Sequence, residues 1–251
     1  MARYIAVANQ KGGVGKTTTA VNLCASIALT RRTCLLIDLD PQGNATTGLG
    51  IEKKPHNGAY LLLSNPHRAT DAIVHTQCKG LDIVPSGPRL ADAQPKHAVT
   101  ADNVLRLKAS KPELTTLYDY VIVDCPPSVG FFPANALSCC DSVLVPIQCE
   151  YYAMEGLAQI LSRIRSAKSN FNPHLEVEGI LLTMYEPSAF SNEVAEEVRA
   201  HFDDLVYETA IPRNVALAEA PSHGQAIFDY DHRSRGARAY LELAKEVLKD
   251  G

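Results

Sequence analysis

The 251-residue chain is 46% hydrophobic and 21% charged, with 15 glycines and 15 prolines, a balance that excludes a disordered, collagen-like or low-complexity protein. Lys and Arg total 24 against 28 Asp and Glu, a formal net charge of −4. No overall positive field therefore draws the protein to nucleic acid, and any such contact must come from a local patch.

No linker or shift of composition divides the sequence, and residues 1–251 are expected to form one α/β domain. Short β-branched runs alternate with segments of helical period, the pattern of βα units around a mostly parallel sheet buried on both faces. In chain order, a strand at 4–8 leads to a helix at 17–30 and a strand at 33–38. Residues 48–80 lack a clear period, and irregular structure or short helices are expected there. A strand at 81–85, a helix at 101–110 and strands at 120–124 and 142–147 follow. A helix at 153–169, a strand at 177–183, a helix at 193–202, a less sharply patterned strand at 205–211 and a helix at 235–249 complete a sheet of about seven strands. Pro126, Pro127, Pro133 and Pro187 mark expected breaks.

The first apolar run is too short for a signal segment and no later run reaches membrane-spanning length, so a cytoplasmic protein is expected, with no membrane partner. The seven cysteines, at 24, 34, 78, 125, 139, 140 and 149, form no CxxC pair. Most lie in apolar runs, where a reduced thiol packs as a small hydrophobe.

In a sheet of this kind, ligands bind beyond the carboxyl ends of the strands. Between the first strand and first helix lies Asn9-Gln10-Lys11-Gly12-Gly13-Val14-Gly15-Lys16-Thr17-Thr18, which matches a P-loop. The backbone from Gly12 to Thr18 is expected to wrap the phosphates of ATP, with Gly12, Gly13, Val14 and Gly15 allowing close approach. Lys16 faces the β- and γ-phosphates, and the Thr17 hydroxyl ligates Mg²⁺. Two further strands end in acid: Asp38 and Asp40 in Ile37-Asp38-Leu39-Asp40-Pro41-Gln42-Gly43-Asn44, and Asp124 in Val121-Ile122-Val123-Asp124. Asp124 after an apolar run is the Walker B pattern of a carboxylate at the magnesium ion. Asp38 and Asp40 share side-chain parity along an extended strand, so both can face the phosphates. Asp38 is assigned to the magnesium shell.

The plain P-loop pattern asks for Gly where this chain has Gln10, and Lys11 is an additional lysine. With these features the loop resembles the deviant Walker A loop of the family that includes ParA/Soj-type partition ATPases, MinD-type division-site selectors and the nitrogenase iron protein. The resemblance implies that Lys11 reaches the nucleotide of a facing subunit, so that ATP closes a sandwich homodimer. It also implies that Asp40 positions or activates the attacking water. Gln148 to Leu157, Leu182 to Tyr185, Ile211 to Asn214, Glu219 to Gly224 and Ser234 to Ala237 look like the chromosomal ParA/Soj branch, so the resemblance covers almost the whole chain. In that branch the Pro-Arg-Asn segment lies near adenine, which implicates Pro212 and Asn214.

The implied function is a nucleotide-switched P-loop ATPase in chromosome or plasmid segregation. Its ATP dimer would bind non-specific DNA on the nucleoid, and a ParB-like centromere-binding protein would stimulate slow hydrolysis. Two arginines usual in the branch are replaced by Ser188 and Ala216, which removes two expected phosphate contacts. Arg213, Arg233, Arg235 and Arg238 remain as the candidate DNA patch. Four alternatives are set against this reading. One is the positioning of a protein cargo by the same device. A MinD-like membrane shuttle would need a basic amphipathic C-terminal helix beyond Glu246 to Gly251. An iron–sulfur reductase would need a second cysteine between Cys78 and Cys125. A P-loop metabolic ligase would need an acceptor pocket.

Overall fold

The computed structural model describes residues 2–53, 58–94 and 100–249. The strands are β1 (Arg3–Val7), β2 (Cys34–Asp38), β3 (Val74–His75), β4 (Leu81–Val84), β5 (Tyr120–Asp124), β6 (Ser142–Gln148) and β7 (Glu176–Thr183). The helices, in chain order, are α1 (Lys16–Leu29), α2 (Asn44–Gly48), α3 (Ala59–Ser64), α4 (Ala101–Val104), α5 (Lys111–Leu114), α6 (Phe131–Cys139), α7 (Ala153–Asn170), α8 (Ala189–Phe202), α9 (Val215–Glu219), α10 (Ile227–Asp231) and α11 (Arg235–Lys249). The described residues form a seven-stranded sheet in the order β3-β4-β2-β5-β1-β6-β7. All neighbours are parallel except β3 and β4.

Alternation along each strand divides the core between the two faces of the sheet. Tyr4, Ala6, Leu35, Ile37, Val121, Val123, Val143 and Val145 point to the side covered by α3, α6 and α7. Ile5, Val7, Leu36, Ile122 and Leu144 point to the side covered by α1, α10 and α11. In α11 the buried residues Ala237, Tyr240, Leu243, Ala244 and Val247 recur every three or four positions and lie against α1. The Tyr240 hydroxyl lies 3.1 Å from that of Thr19, one turn into α1, and ties the two helices together.

Four departures from the sequence expectations have local causes. Residues 205–211 run beside β7 without forming a continuous ladder with it: Tyr207 N–H donates to Ile180 O at 3.0 Å and Ile211 N–H to Leu182 O at 2.8 Å, and isolated bridges pair Val206 with Ile180 and, just beyond both segments, Pro212 with Tyr185. The N–H groups of Glu208 and Thr209 donate instead to the Glu246 carboxylate of α11, at 2.9 and 3.0 Å. The seventh strand is the two-residue β3, inside the aperiodic 48–80 stretch, of which residues 54–57 lie outside the described residues. The expected helix at 101–110 is only α4 followed by a 3₁₀ turn. There the Asn135 side chain accepts from Leu107 N–H and donates to Asn103 O, taking backbone groups that a longer helix would use. Pro133 breaks nothing: it sits in the first turn of α6, where a proline sacrifices no helical hydrogen bond. Among the described residues no helix is long and apolar enough to cross a membrane.

Candidate functional site

Register brings the site together. Asp124 is paired with Val7 on one side and Asp38 on the other, so β1, β5 and β2 end level. The loop that leaves Val7 therefore rises directly beside both carboxylates. Gly13 and Gly15 take the left-handed φ values of 76° and 82° that the turn into α1 requires. Among the described residues, a Cβ added to Gly12 or Gly13 would meet no atom beyond its chain neighbours within 4 Å, so they leave the space in front of the loop open.

Side chains hold this loop from three directions. Asn9 donates to Pro146 O at 2.8 Å and accepts from Lys11 N–H at 3.0 Å. The Thr183 hydroxyl, at the end of β7, lies 2.9 Å from both Val14 O and Ile147 O and bonds the loop to β6. Lys16, only 6% exposed, donates its ammonium to Lys11 O at 2.8 Å. Burial pushes the Lys16 amine below its ordinary pKa, while Asp124, Cys125 and Asp40 oppose that shift. Lys11 itself points outward and pairs with Glu150 at 2.5 Å, both partly exposed.

The carboxylates differ in what they bind. Asp38 is fully buried and engaged by its own loop: Oδ1 accepts from Asp40 N–H at 3.1 Å, and Oδ2 accepts from Thr46 N–H and its hydroxyl at 2.9 and 2.6 Å. Burial pushes its pKa up to about 6 despite those bonds. Asp40, at 7% exposure, accepts Gln42 N–H at 2.9 Å. Asp124 is fully buried, and among the described residues neither of its oxygens receives a hydrogen bond of ordinary geometry. Burial, then the neighbouring Asp38, pushes its carboxyl well above the usual range; the Thr17 hydroxyl alongside and Lys16 favour the charged form without offsetting this.

Of the three buried carboxylates, Asp124 and Asp40 act on the one buried ammonium of Lys16 and Asp38 acts on Asp124, an arrangement short of positive charge. Among the described residues no cluster of three or more His, Cys, Asp or Glu could form an all-protein metal cage. The donor set of one hydroxyl and one unpaired carboxylate suits Mg²⁺, which keeps most of its shell for water and phosphate oxygens. Cys125, beside Asp124, is buried with its thiol pKa pushed far up by desolvation, and behaves as packing.

Next to the loop lies a cavity of about 170 Å³ lined by Gly15, Thr18, Thr183, Pro212, Asn214 and Tyr240, among others. It brings the sequence-predicted Pro212 and Asn214 up to the P-loop. Asn214 Oδ1 is buried, and among the described residues no donor reaches it. Gly236 of α11 makes room for this segment: a Cβ there would come within 2.6 Å of Leu217 and 3.1 Å of Asn214 Oδ1.

Of the candidate DNA contacts, Arg213 pairs with Glu186 at 3.4 Å. Arg233, Arg235 and Arg238 are exposed around the start of α11, and among the described residues none of them is in an ion pair. Ser188, where the family resemblance expected arginine, caps α8 by accepting Ser191 N–H at 3.1 Å. Sequence reasoning missed Thr46, Ser86 and Thr183. Each is a small hydroxyl, Thr183 at the last position of β7, Ser86 just past β4 and Thr46 inside α2, a weak signal taken alone.

Fold and site together define a P-loop NTPase. An AAA-domain family profile matches residues 2–177. The chain is 49% identical to the sporulation initiation inhibitor protein Soj of Bacillus subtilis (strain 168), over 100% of both chains. It is 46% identical to the chromosome partitioning protein ParA of Myxococcus xanthus (strain DK1622), over 98% of this chain and 88% of that one. Among solved structures it is similar to a cobyrinic acid a,c-diamide synthase from Mycobacterium smegmatis with bound ADP and magnesium, with a TM-score of 0.85 and 35% identity over 99% of this chain and 95% of that one. The chain belongs to the Soj/ParA family of chromosome-partitioning ATPases.

Proposed function

We propose that residues 1–251 act as one Mg²⁺-dependent ATPase unit in chromosome or plasmid segregation. ATP closes a sandwich homodimer, the dimer holds non-specific DNA of the nucleoid in the cytoplasm, and a ParB-like centromere-binding partner stimulates slow hydrolysis that releases it. The observation that carries this reading is the buried, unpaired Asp124 carboxylate set beside an unfilled glycine loop, Lys16 and Thr17. The names of the Bacillus and Myxococcus relatives support the segregation setting, and the ADP and magnesium of the Mycobacterium structure support the ligands.

In this reading the amides from Gly12 to Thr18 hold the phosphates at the positive end of α1. Lys16 supplies charge at the β- and γ-oxygens, and Thr17 and Asp124 hold Mg²⁺, which neutralises charge on the transferring phosphoryl group when bound. Asp40 orients the attacking water. Asp38, already engaged by Thr46 and Asp40 N–H, serves the metal site from behind by shaping the loop. Lys11 leaves Glu150 to reach the partner's nucleotide, at small cost, since an exposed ion pair contributes only about 0–1 kcal/mol.

Pro212 and Asn214 take the adenine. Asn214→Ala is expected to weaken ATP affinity by about three- to tenfold while leaving inhibition by inorganic triphosphate unchanged, as measured by competition titration. Equal losses for both ligands would remove Asn214 from the base site.

Arg233, Arg235 and Arg238, with Arg213 once it parts from Glu186, contact DNA phosphates. The test is DNA affinity against salt with ATP, with ADP and without nucleotide. Binding with ATP should be tightest, and its salt slope should fall by about one unit for each contacting arginine removed. Identical binding in all three states at every salt concentration would overturn the DNA switch and leave positioning of a protein cargo as the alternative. The name of the Mycobacterium structure favours a second reading, a metabolic ligase. That reading requires turnover to wait for a small acceptor, so steady hydrolysis of ATP alone tells against it.

A further inference from the structure

We infer that Ser86 is a positioning residue for ATP hydrolysis, acting on Asp40 through the backbone; the inference rests on the role proposed above for Asp40. β4 runs beside β2 with Val84 paired to Ile37, so Ser86 reaches the site from the neighbouring strand end rather than from the catalytic loop. Its hydroxyl donates to Asp40 O at 2.6 Å, and its N–H donates to the Thr46 hydroxyl oxygen at 2.8 Å. Thr46 in turn donates to Asp38, and Asp38 accepts from Asp40 N–H.

These four bonds close a ring: Asp40, Asp38, Thr46, Ser86 and back to Asp40. Each donor is used once and each hydroxyl serves the polarity its neighbours require. Asp38, Thr46 and Ser86 are wholly buried and Asp40 nearly so, so water does not compete for these groups.

The ring clamps both peptide groups of Asp40, whereas among the described residues its carboxylate accepts only Gln42 N–H, from the same turn. The aim of the carboxylate is therefore inherited from the backbone. Ser86 is itself held firmly. Ala59 N–H donates to Pro85 O at 2.9 Å, and a Cβ on Gly58 would lie 2.0 Å from that oxygen, so the end of β4 is fixed on the side away from Asp40. Without the Ser86 hydroxyl, Asp40 O keeps, among the described residues, only Gly43 N–H, a partner that moves with the loop. A rigid external support for a water-positioning group is what phosphoryl transfer demands, because small misplacements cost large factors in rate.

The experiment compares Ser86→Ala with the parent for ATP turnover, ATP affinity and ATP-dependent dimer formation. The expected result is a kcat lowered about tenfold, with KM within about twofold and dimers unchanged. In an Asp40→Ala background the same change should have no further effect, because Ser86 acts only through Asp40. A parent-like kcat in Ser86→Ala, or an equal loss of affinity and rate, overturns the inference. Should Ser86→Ala fail to fold, Ser86→Thr and Ser86→Cys make the comparison, since the first keeps a strong donor and the second a weak one. Turnover retained only with threonine supports the inference, and equal rates in both overturn it. Full turnover in Asp40→Ala alone is a different failure, that of the reading on which the inference rests.

Discussion

Asp40→Ala is expected to bind ATP and dimerise like the parent while losing about a hundredfold or more of its turnover, the usual scale for removing a group that orients or deprotonates a nucleophile. The variant should keep its loop. The bonds that fix Asp40 involve its N–H and carbonyl, both retained in alanine, and among the described residues the bond lost is that to Gln42 N–H. The glycine loop, Lys16 and Asp124 lie on other strand ends and keep their positions, although Lys16 loses the Asp40 charge that favours its protonated form. Steady-state hydrolysis alongside light scattering with and without ATP separates the two properties. Parent-like hydrolysis in a well-folded Asp40→Ala protein would defeat the assignment.

Lys16→Gln should have the opposite profile, failing at the first step. A charge-assisted contact to phosphate contributes about 1.5–3 kcal/mol, so ATP affinity is expected to fall by about ten- to hundredfold and ATP-dependent dimers to disappear at ordinary nucleotide concentrations. The nucleotide-free variant should be no less heat-stable than the parent. Burial disfavours the charged amine, and a neutral side chain of similar length escapes that penalty, although Lys11 O exchanges an ammonium donor for an amide. Calorimetric unfolding without nucleotide and ATP titration make the two measurements. ATP-dependent dimers at parent levels would contradict the phosphate-cradle reading.

Much of this site is legible in the sequence because its chemistry is written in contiguous runs. The glycine loop, Lys16 and Thr17 follow one apolar strand, and Asp38 and Asp124 each close another, so strand spacing alone predicts that they meet. What the sequence hides is work done across the chain by ordinary residues. Ser86 looks like a turn serine after Val84-Pro85 until β4 is seen beside β2. Thr46 looks like a helix threonine until it is found bonding Asp38. Ser188 reads as a missing arginine, and the fold gives it a helix to cap. The same long-range bonding explains the fold errors. Glu246 and Asn135 each capture backbone groups that local pattern assigns to a strand at 205–211 and a helix at 101–110. A two-residue strand such as β3 is too short to leave a period at all.

The sheet order has a mechanical consequence. β1, which bears the glycine loop, has a parallel partner on each edge and apolar cover on each face, whereas β3 hangs on the margin by a two-residue ladder. Loosening β1 amounts to dissolving the whole core, while β3 can fray and re-form on its own. Thermal breathing is thereby steered toward the far rim, and the glycine loop springs from one of the strands held on both edges.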